Sequence, residues 1–267
     1  MYQNLHTHTS LCHHAVGKPV DMAKVAVAAG ATCLGISDHA ALPDDRWLDV
    51  RMEYAQLPLY EQWIEEARQA YPQLNLLKGF EAEGDPALFG YYRDLLEGRG
   101  FDYLVGAGHY LSLEGQWRSS FSYLQDGPSL KNYVKQLVGM MESGLFAFIA
   151  HPDLFGCGFS AWNADLAAAS ADIAQVSKAL GVPLEINGNG WRKLPVSGAE
   201  GPRAPYPWVP FWEVCASHQA PVVVNSDAHR PEELFHGIER GRQLASQLGL
   251  PLWDATDLGL AKTKKMG

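Results

Sequence analysis

The chain carries ten histidines, and many of them lie beside a second side chain able to bind metal. His6 and His8 are two positions apart, so on an extended segment both imidazoles leave the same face. Asp227 and His229 repeat that spacing near the other end of the chain. Neutral imidazoles and carboxylates held in this way chelate a divalent ion. One such pair alone is equally compatible with a polar tag or two surface histidines, so the rest of the chain has to decide.

The elements that must position these groups follow from the apolar pattern. Short apolar strands are expected at 2–8, 33–37, 74–80, 103–108, 146–150, 183–186 and 221–225. Helices are expected over 20–29, 58–71, 86–97, 129–143, 164–180, 207–219 and 232–248. Segments 40–57, 111–128 and 188–205 read as irregular, and connections that long are usually functional or disordered. The tail at 262–265 reads as solvated. Strand–loop–helix repeated about seven times indicates a parallel sheet covered by helices, either closed as a barrel or open and doubly wound.

The polar residues separate these two forms. His8, His39, Glu81, His109, His151, Asn187 and Asp227 each fall at or just past the C-terminal end of a different expected strand. In a barrel those ends share one rim, where the active sites of such folds lie. In an open sheet they would be strung along a line. Convergence favours an α/β barrel, with residues 1–267 as a single domain. More ligands gather than one coordination sphere holds, which points to a multinuclear site. Imidazole and carboxylate donors without thiolates suit Zn, Fe or Mn. Metals about 3.5–4 Å apart lower the pKa of a bridging water and clamp a phosphate during in-line attack.

Composition narrows the partners. With 47% hydrophobic residues the chain can bury a proper core. Acidic residues outnumber basic ones 30 to 21, and a formal charge of −9 argues against a nucleic-acid surface. A small anionic substrate stays compatible, because bound cations supply local positive charge. Cys12, Cys33, Cys157 and Cys215 are scattered and read as reduced thiols. No secretory leader or membrane-length apolar run is evident, so a cytoplasmic location is expected. The sequence leaves the oligomeric state open.

Taken together, His6-Thr7-His8-Thr9, a histidine eight positions after the first, Asp38-His39, Glu81, Gly106–His109, Ala150–Asp153 and Ser226–His229 resemble the polymerase-and-histidinol-phosphatase (PHP) superfamily. The resemblance implies a distorted (βα)7 TIM-like barrel with three divalent metal ions at the C-terminal rim of its strands. It implies His6, His8, Glu81 and Asp227 around the first, and Glu81, His109 and His151 around the second. It implies His14, His39 and His229 around the third. Residues 184–193 (LEINGNGWRK), followed by Tyr206-Pro207, are similar to a segment of the histidinol-phosphate phosphatase branch. Asn189, Trp191 and the long stretch 195–205 depart from that segment, where the leaving alcohol would sit.

The expectation is a metal-dependent phosphomonoesterase that hydrolyses L-histidinol phosphate by way of a hydroxide bridging two metals, with inorganic phosphate as product. Arg192 would bind phosphate as a two-pronged fork. Asn187 and Tyr206 are further substrate-binding candidates. Asp227 and His229 are candidates for protonating the leaving group. Glu83 reads as an alternative ligand or, more simply, a supporting carboxylate. Asp38 and Asp153 read as orienting neighbours. Trp117, Arg118 and Tyr123 fall in an expected lid, and Lys193 reads as solvated. A phosphodiesterase or phosphatase acting on nucleotides or other small esters is the alternative on the same fold. A non-catalytic metal-binding module is the third reading.

Overall fold

The computed structural model describes residues 3–260. Seven parallel strands form one sheet: β1 (Gln3–Asn4), β2 (Cys33–Ile36), β3 (Asn75–Glu83), β4 (Tyr103–Ala107), β5 (Phe148–Ile149), β6 (Leu184–Asn187) and β7 (Val222–Asn225), in that spatial order. Each is followed by a helix: α1 (Pro19–Ala28), α2 (Leu57–Ala70), α3 (Phe89–Glu97), α4 (Gly127–Ser143), α5 (Ala164–Leu180), α6 (Val209–Ser217) and α7 (Ile238–Leu248). Strands such as β7, with sequence VVVN, are buried at every position, as sheets covered on their outer face require.

The sheet curls until its first and last strands meet. Thr7 and Ala228 form a parallel bridge, with His8 N donating to Ala228 O at 2.8 Å. Below that bridge, side chains take over from the backbone ladder. Leu5 N donates to Asn225 Oδ1 (2.8 Å), and Asn4 Nδ2 donates to Ser226 Oγ (2.6 Å). The barrel is therefore nearly closed, and its seam is laced by amides. The expectation of a barrel over an open sheet holds.

Period-two alternation sorts the strand residues. On β3, Leu76 and Phe80 pack outward in the large core beneath the helices, while Leu77 joins a smaller core with Leu5, Tyr103, Val105, Phe148 and Val223. Tyr103 fills the barrel and donates to Leu5 O at 2.7 Å. Two strand glycines make room for it. A Cβ on Gly35 would stand 2.0 Å from Tyr103 Oη, and one on Gly79 would stand 2.6 Å from its ring.

Four segments differ from the sequence expectation. The regular part of β1 stops at Asn4, although the bridge at Thr7 keeps the next residues extended. Segment 111–128 contains an antiparallel hairpin, Tyr110–Leu113 with Gln116–Ser119, turned at Glu114 (φ 51°) and Gly115 (φ 79°). Two consecutive left-handed residues are what a tight hairpin turn needs. The expected helix over 232–248 divides into a single turn at Pro231–Glu233 and then α7, because Gly237 at φ 80° interrupts it. The long connection at 188–205 likewise holds a small hairpin, Val196–Gly198 with Gly201–Arg203. The tail at 262–265 lies outside the described residues.

Candidate metal centre and cavity

The C-terminal rim collects the histidines and carboxylates by element. His6 and His8 follow β1, His39 follows β2, Glu81 and Glu83 are on β3, and His109 follows β4. His151 follows β5, and Asp227 and His229 follow β7. His14 comes from the loop before α1.

Glu81 is the hub. Its Oε2 lies 3.4 Å from His6 Nε2, 3.5 Å from His8 Nε2 and 3.0 Å from His39 Nδ1. Its Oε1 lies 3.3 Å from His109 Nε2 and 3.0 Å from His151 Nε2. Asp227 Oδ1 completes the first group, 3.1 Å from His8 Nε2 and 3.7 Å from His6 Nε2. His14 Nε2 and His229 Nε2 face each other at 3.0 Å, and a donor atom of His39 joins them within 4.8 Å. Two of these positions hold unusual backbone for non-glycine residues, His151 at φ 28° and Asp227 at φ 50°. Such conformations persist where surrounding structure over-determines them, commonly at functional sites.

Whether cations fit can be read from the donors themselves. His6 Nε2, His8 Nε2, His39 Nδ1, Glu81 Oε2 and Asp227 Oδ1 are all buried without a hydrogen-bond partner among the described residues. Leaving one buried polar atom unpaired costs about 1–3 kcal/mol, so five converging on one spot need a common partner. Divalent ions would satisfy them together. Without metals, protons supply the charge. Burial pulls His6 down, but Glu185, Asp227 and Glu81 outweigh it and hold it well above its ordinary value. Burial pushes Glu81 up, and His109, His6 and His39 override it and keep it ionised.

Behind the donors stands a supporting shell. Glu185 of β6, fully buried, accepts from His6 Nδ1 (2.9 Å), His151 N (3.2 Å), Asn187 Nδ2 (2.7 Å) and Asn225 Nδ2 (3.0 Å). With Nδ1 donating, it is Nε2 of His6, facing Glu81 and Asp227, that would offer its lone pair to a bound ion. Glu83 accepts from His109 Nδ1 at 2.8 Å and from buried Arg51 at 3.0 Å. Asp38 accepts from Thr9 N at 3.0 Å and from the Thr9 hydroxyl. Among the described residues Asp153 makes no side-chain hydrogen bond to His151. It accepts from Trp208 N (2.6 Å) and Trp212 Nε1 (3.1 Å), and burial pushes its carboxyl up to about 7.

A cavity of about 750 Å³ opens above this cluster. Arg192, Lys193, Asn189 and Tyr206 line one part of it. Arg192 is already half committed. Its Nη2 donates to Ser226 O (3.0 Å) and Asp227 O (2.8 Å), while Nη1 is left without a partner among the described residues. It therefore offers one prong, where the sequence suggested a free fork. Asn187 is buried beneath the cavity. Its amide donates to Glu185 and Asp227, and its Oδ1 accepts from Asn189 N at 2.8 Å. Asn189 Nδ2 reaches Asp227 Oδ2 at 3.1 Å.

Sequence reasoning passed over Glu185, Arg51 and Trp47. A carboxylate inside the apolar strand LEIN, two residues before Asn187, was a usable signal for Glu185. It also read Cys12 as an ordinary thiol. Cys12 is buried, with a donor atom within 4.8 Å of His8 and His229.

Comparison with known proteins places the chain in a family and agrees with the fold. The PHP domain family model matches residues 4–189. The chain belongs to the PHP domain family. A curated relative, a probable histidinol-phosphatase of Deinococcus radiodurans, is 33% identical over 236 residues, which is 86% of each chain. A histidinol phosphate phosphatase from Lactococcus lactis, solved with Zn, L-histidinol and phosphate, superposes with TM-score 0.72 at 14% identity, covering 94% of both chains. A candidate histidinol phosphatase from Listeria monocytogenes gives TM-score 0.71 at 19% identity, over 90% of this chain and 99% of that one. At those identities the two structures speak to the fold.

Proposed function

We propose that this PHP protein is a divalent-metal-dependent phosphomonoesterase that hydrolyses L-histidinol phosphate to L-histidinol and phosphate, a step of histidine biosynthesis. The carrying observation is the convergence of unpartnered buried donors on Glu81 at the cavity base. The names of the Deinococcus and Lactococcus relatives support the substrate. His6, His8, Glu81 and Asp227 would hold one ion, Glu81, His109 and His151 a second, and His14, His39 and His229 a third. Such ions acidify water and offset phosphoryl charge at neutral pH.

The chain's own residues do the rest. The unpartnered Nη1 of Arg192 directs one N–H at a phosphoryl oxygen, and Lys193 adds a positive charge at the cavity edge. Tyr206 walls the site beside His151, with ring centroids 5.7 Å apart. Asn187 from beneath and Asn189 from the cavity lining orient Asp227. The departing alkoxide needs a proton. Burial pushes Asp227 up, but His6, His8 and His229 keep it ionised, and burial pulls His229 down to about 3, so neither carries a proton at neutral pH and water in the cavity supplies it.

The test is turnover by full-length protein reconstituted separately with Zn, Mn or Fe, on L-histidinol phosphate and on a panel of nucleotides. Preference for histidinol phosphate supports the reading. Equal or better turnover of nucleotides would move the protein to the alternative phosphoesterase.

A further inference from the structure

One wall of the cavity is aromatic, and nothing in the metal chemistry explains it. Trp47 comes from the loop after β2, and Tyr110 and Trp117 come from the hairpin after β4. In the hairpin's register Ser112 pairs with Trp117 and Tyr110 with Ser119, so Tyr110 and Trp117 share one face. Trp47 stacks flat on Tyr110, with centroids 3.9 Å apart and planes 5° apart. It meets Trp117 edge-on at 5.6 Å and 83°. All three line the cavity that holds Glu81 and Asp227 at its base.

The loop that delivers Trp47 is strained. Trp47 sits at φ 61° and Asp45 at φ 51°, both left-handed, a region that bulky residues rarely adopt. Surrounding bonds hold it there. Asp45 accepts from Tyr54 N (2.7 Å), Arg46 pairs with Asp44 (2.6 Å) and Asp85 (2.8 Å), and Leu48 O accepts from His13 Nδ1 (2.7 Å). Strain maintained at a cavity mouth serves the position of the side chain it delivers.

Electrostatics narrows what the wall takes. The Arg46 guanidinium lies 5.3 Å from the Trp47 ring and 5.8 Å from Trp117, and that of Arg51 lies 5.1 Å from Trp47. The cation-binding capacity of these rings is thus already used. A third cation would be repelled, whereas a flat neutral ring gains offset or edge-to-face contact. Arg192 and Lys193 line one part of the cavity and this wall another, so a phosphate held by the two cations leaves the wall to the alcohol.

We infer that Trp47 and Trp117 form the leaving-group subsite and select phosphate esters whose alcohol carries a flat, uncharged ring over ring-free aminoalkyl esters. This rests on the phosphomonoesterase reading and names the feature of the substrate that the site measures.

The test compares wild type, Trp47→Gly and Trp117→Ala, each as the reconstituted full chain, on L-histidinol phosphate and ethanolamine phosphate. Glycine suits φ 61°, so Trp47→Gly removes the ring without straining the backbone of the loop. Each variant should reduce the ratio of kcat/KM for the two esters about tenfold, mainly through KM for the ring-bearing one. An unchanged ratio overturns the inference, as does an equal loss on both esters. Calorimetric binding of L-histidinol to the metal-free protein, weaker in Trp47→Gly than in wild type, decides the point independently of turnover. Equal affinity there also overturns it. If wild type hydrolyses neither ester, the phosphomonoesterase reading fails, and the calorimetry still judges the wall.

Discussion

At the residue scale, the site depends on donors whose free lone pairs are set by neighbours. His8 places Nε2 3.1 Å from Asp227 and 3.5 Å from Glu81, and it is fully buried. His8→Ala should abolish measurable turnover while circular dichroism shows the barrel still folded. Glu185 acts one step further out. It makes no approach to the cavity, yet it holds the Nδ1–H of His6 and the backbone of His151. Glu185→Gln presents an amide N–H where two donors already point. Metal affinity, read by titration with Co and its absorption spectrum, should fall about 10–100-fold, as for other residues that orient metal ligands. Glu185→Asp should recover part of that loss. A lower melting temperature with unchanged Co affinity would show that Glu185 only supports the fold.

At the element scale, loops after β2 and β4 build the cavity wall, while strand ends build its floor. The floor was legible because each polar residue interrupts an otherwise apolar strand at its C-terminal end. The wall was not, because Trp47 and Trp117 become neighbours only through a hairpin turn and a left-handed loop, neither of which apolar periodicity records. Helix ends show the same contrast. The helix expected over 164–180 ends there, capped by Gly181 at φ 65°. The helix expected from 129 begins two residues earlier, at Gly127, because Asp126 makes a capping box there, with Ser129 N donating to Asp126 Oδ1 at 2.8 Å. That bond holds the Asp126 carboxyl below its ordinary value. A depressed carboxyl adds stability above its unfolded pKa of about 3.9 and loses it as pH falls through the folded value. Asp126→Ala should therefore melt earlier than wild type at neutral pH, and the difference should vanish in acid. Asp126→Asn should keep the cap at both.

At the scale of the whole molecule, the barrel brings donors more than 200 positions apart, His6 and Asp227 among them, into one cluster at its seam. The same seam is closed by Asn4, Asn225 and the bridge between Thr7 and Ala228. Binding at the cluster should therefore tie the first strand to the last. Anything that binds only the native state stabilises it by RT ln(1 + [L]/Kd), about 4 kcal/mol at a thousandfold excess over Kd. Removing metal with a chelator should lower the melting temperature and abolish turnover together, and adding Zn or Mn back should restore both. Restored stability without activity towards any phosphate ester would favour a metal-binding module. Among the described residues no helix is long and apolar enough to cross a membrane.

The sequence by itself determined the alternation of strands and helices, the barrel, and which side chains stand at the rim, because period-two burial and ligand spacing are local properties. Only the tertiary structure decided how those side chains divide their work. Glu81 became the hub because its two oxygens face five histidines from four different segments. Arg192 lost one prong to the carbonyls of Ser226 and Asp227, and Asn187 went beneath the floor. Each outcome depends on which carbonyl, amide or ring lies across a gap between segments distant in sequence, and chain spacing carries no record of that.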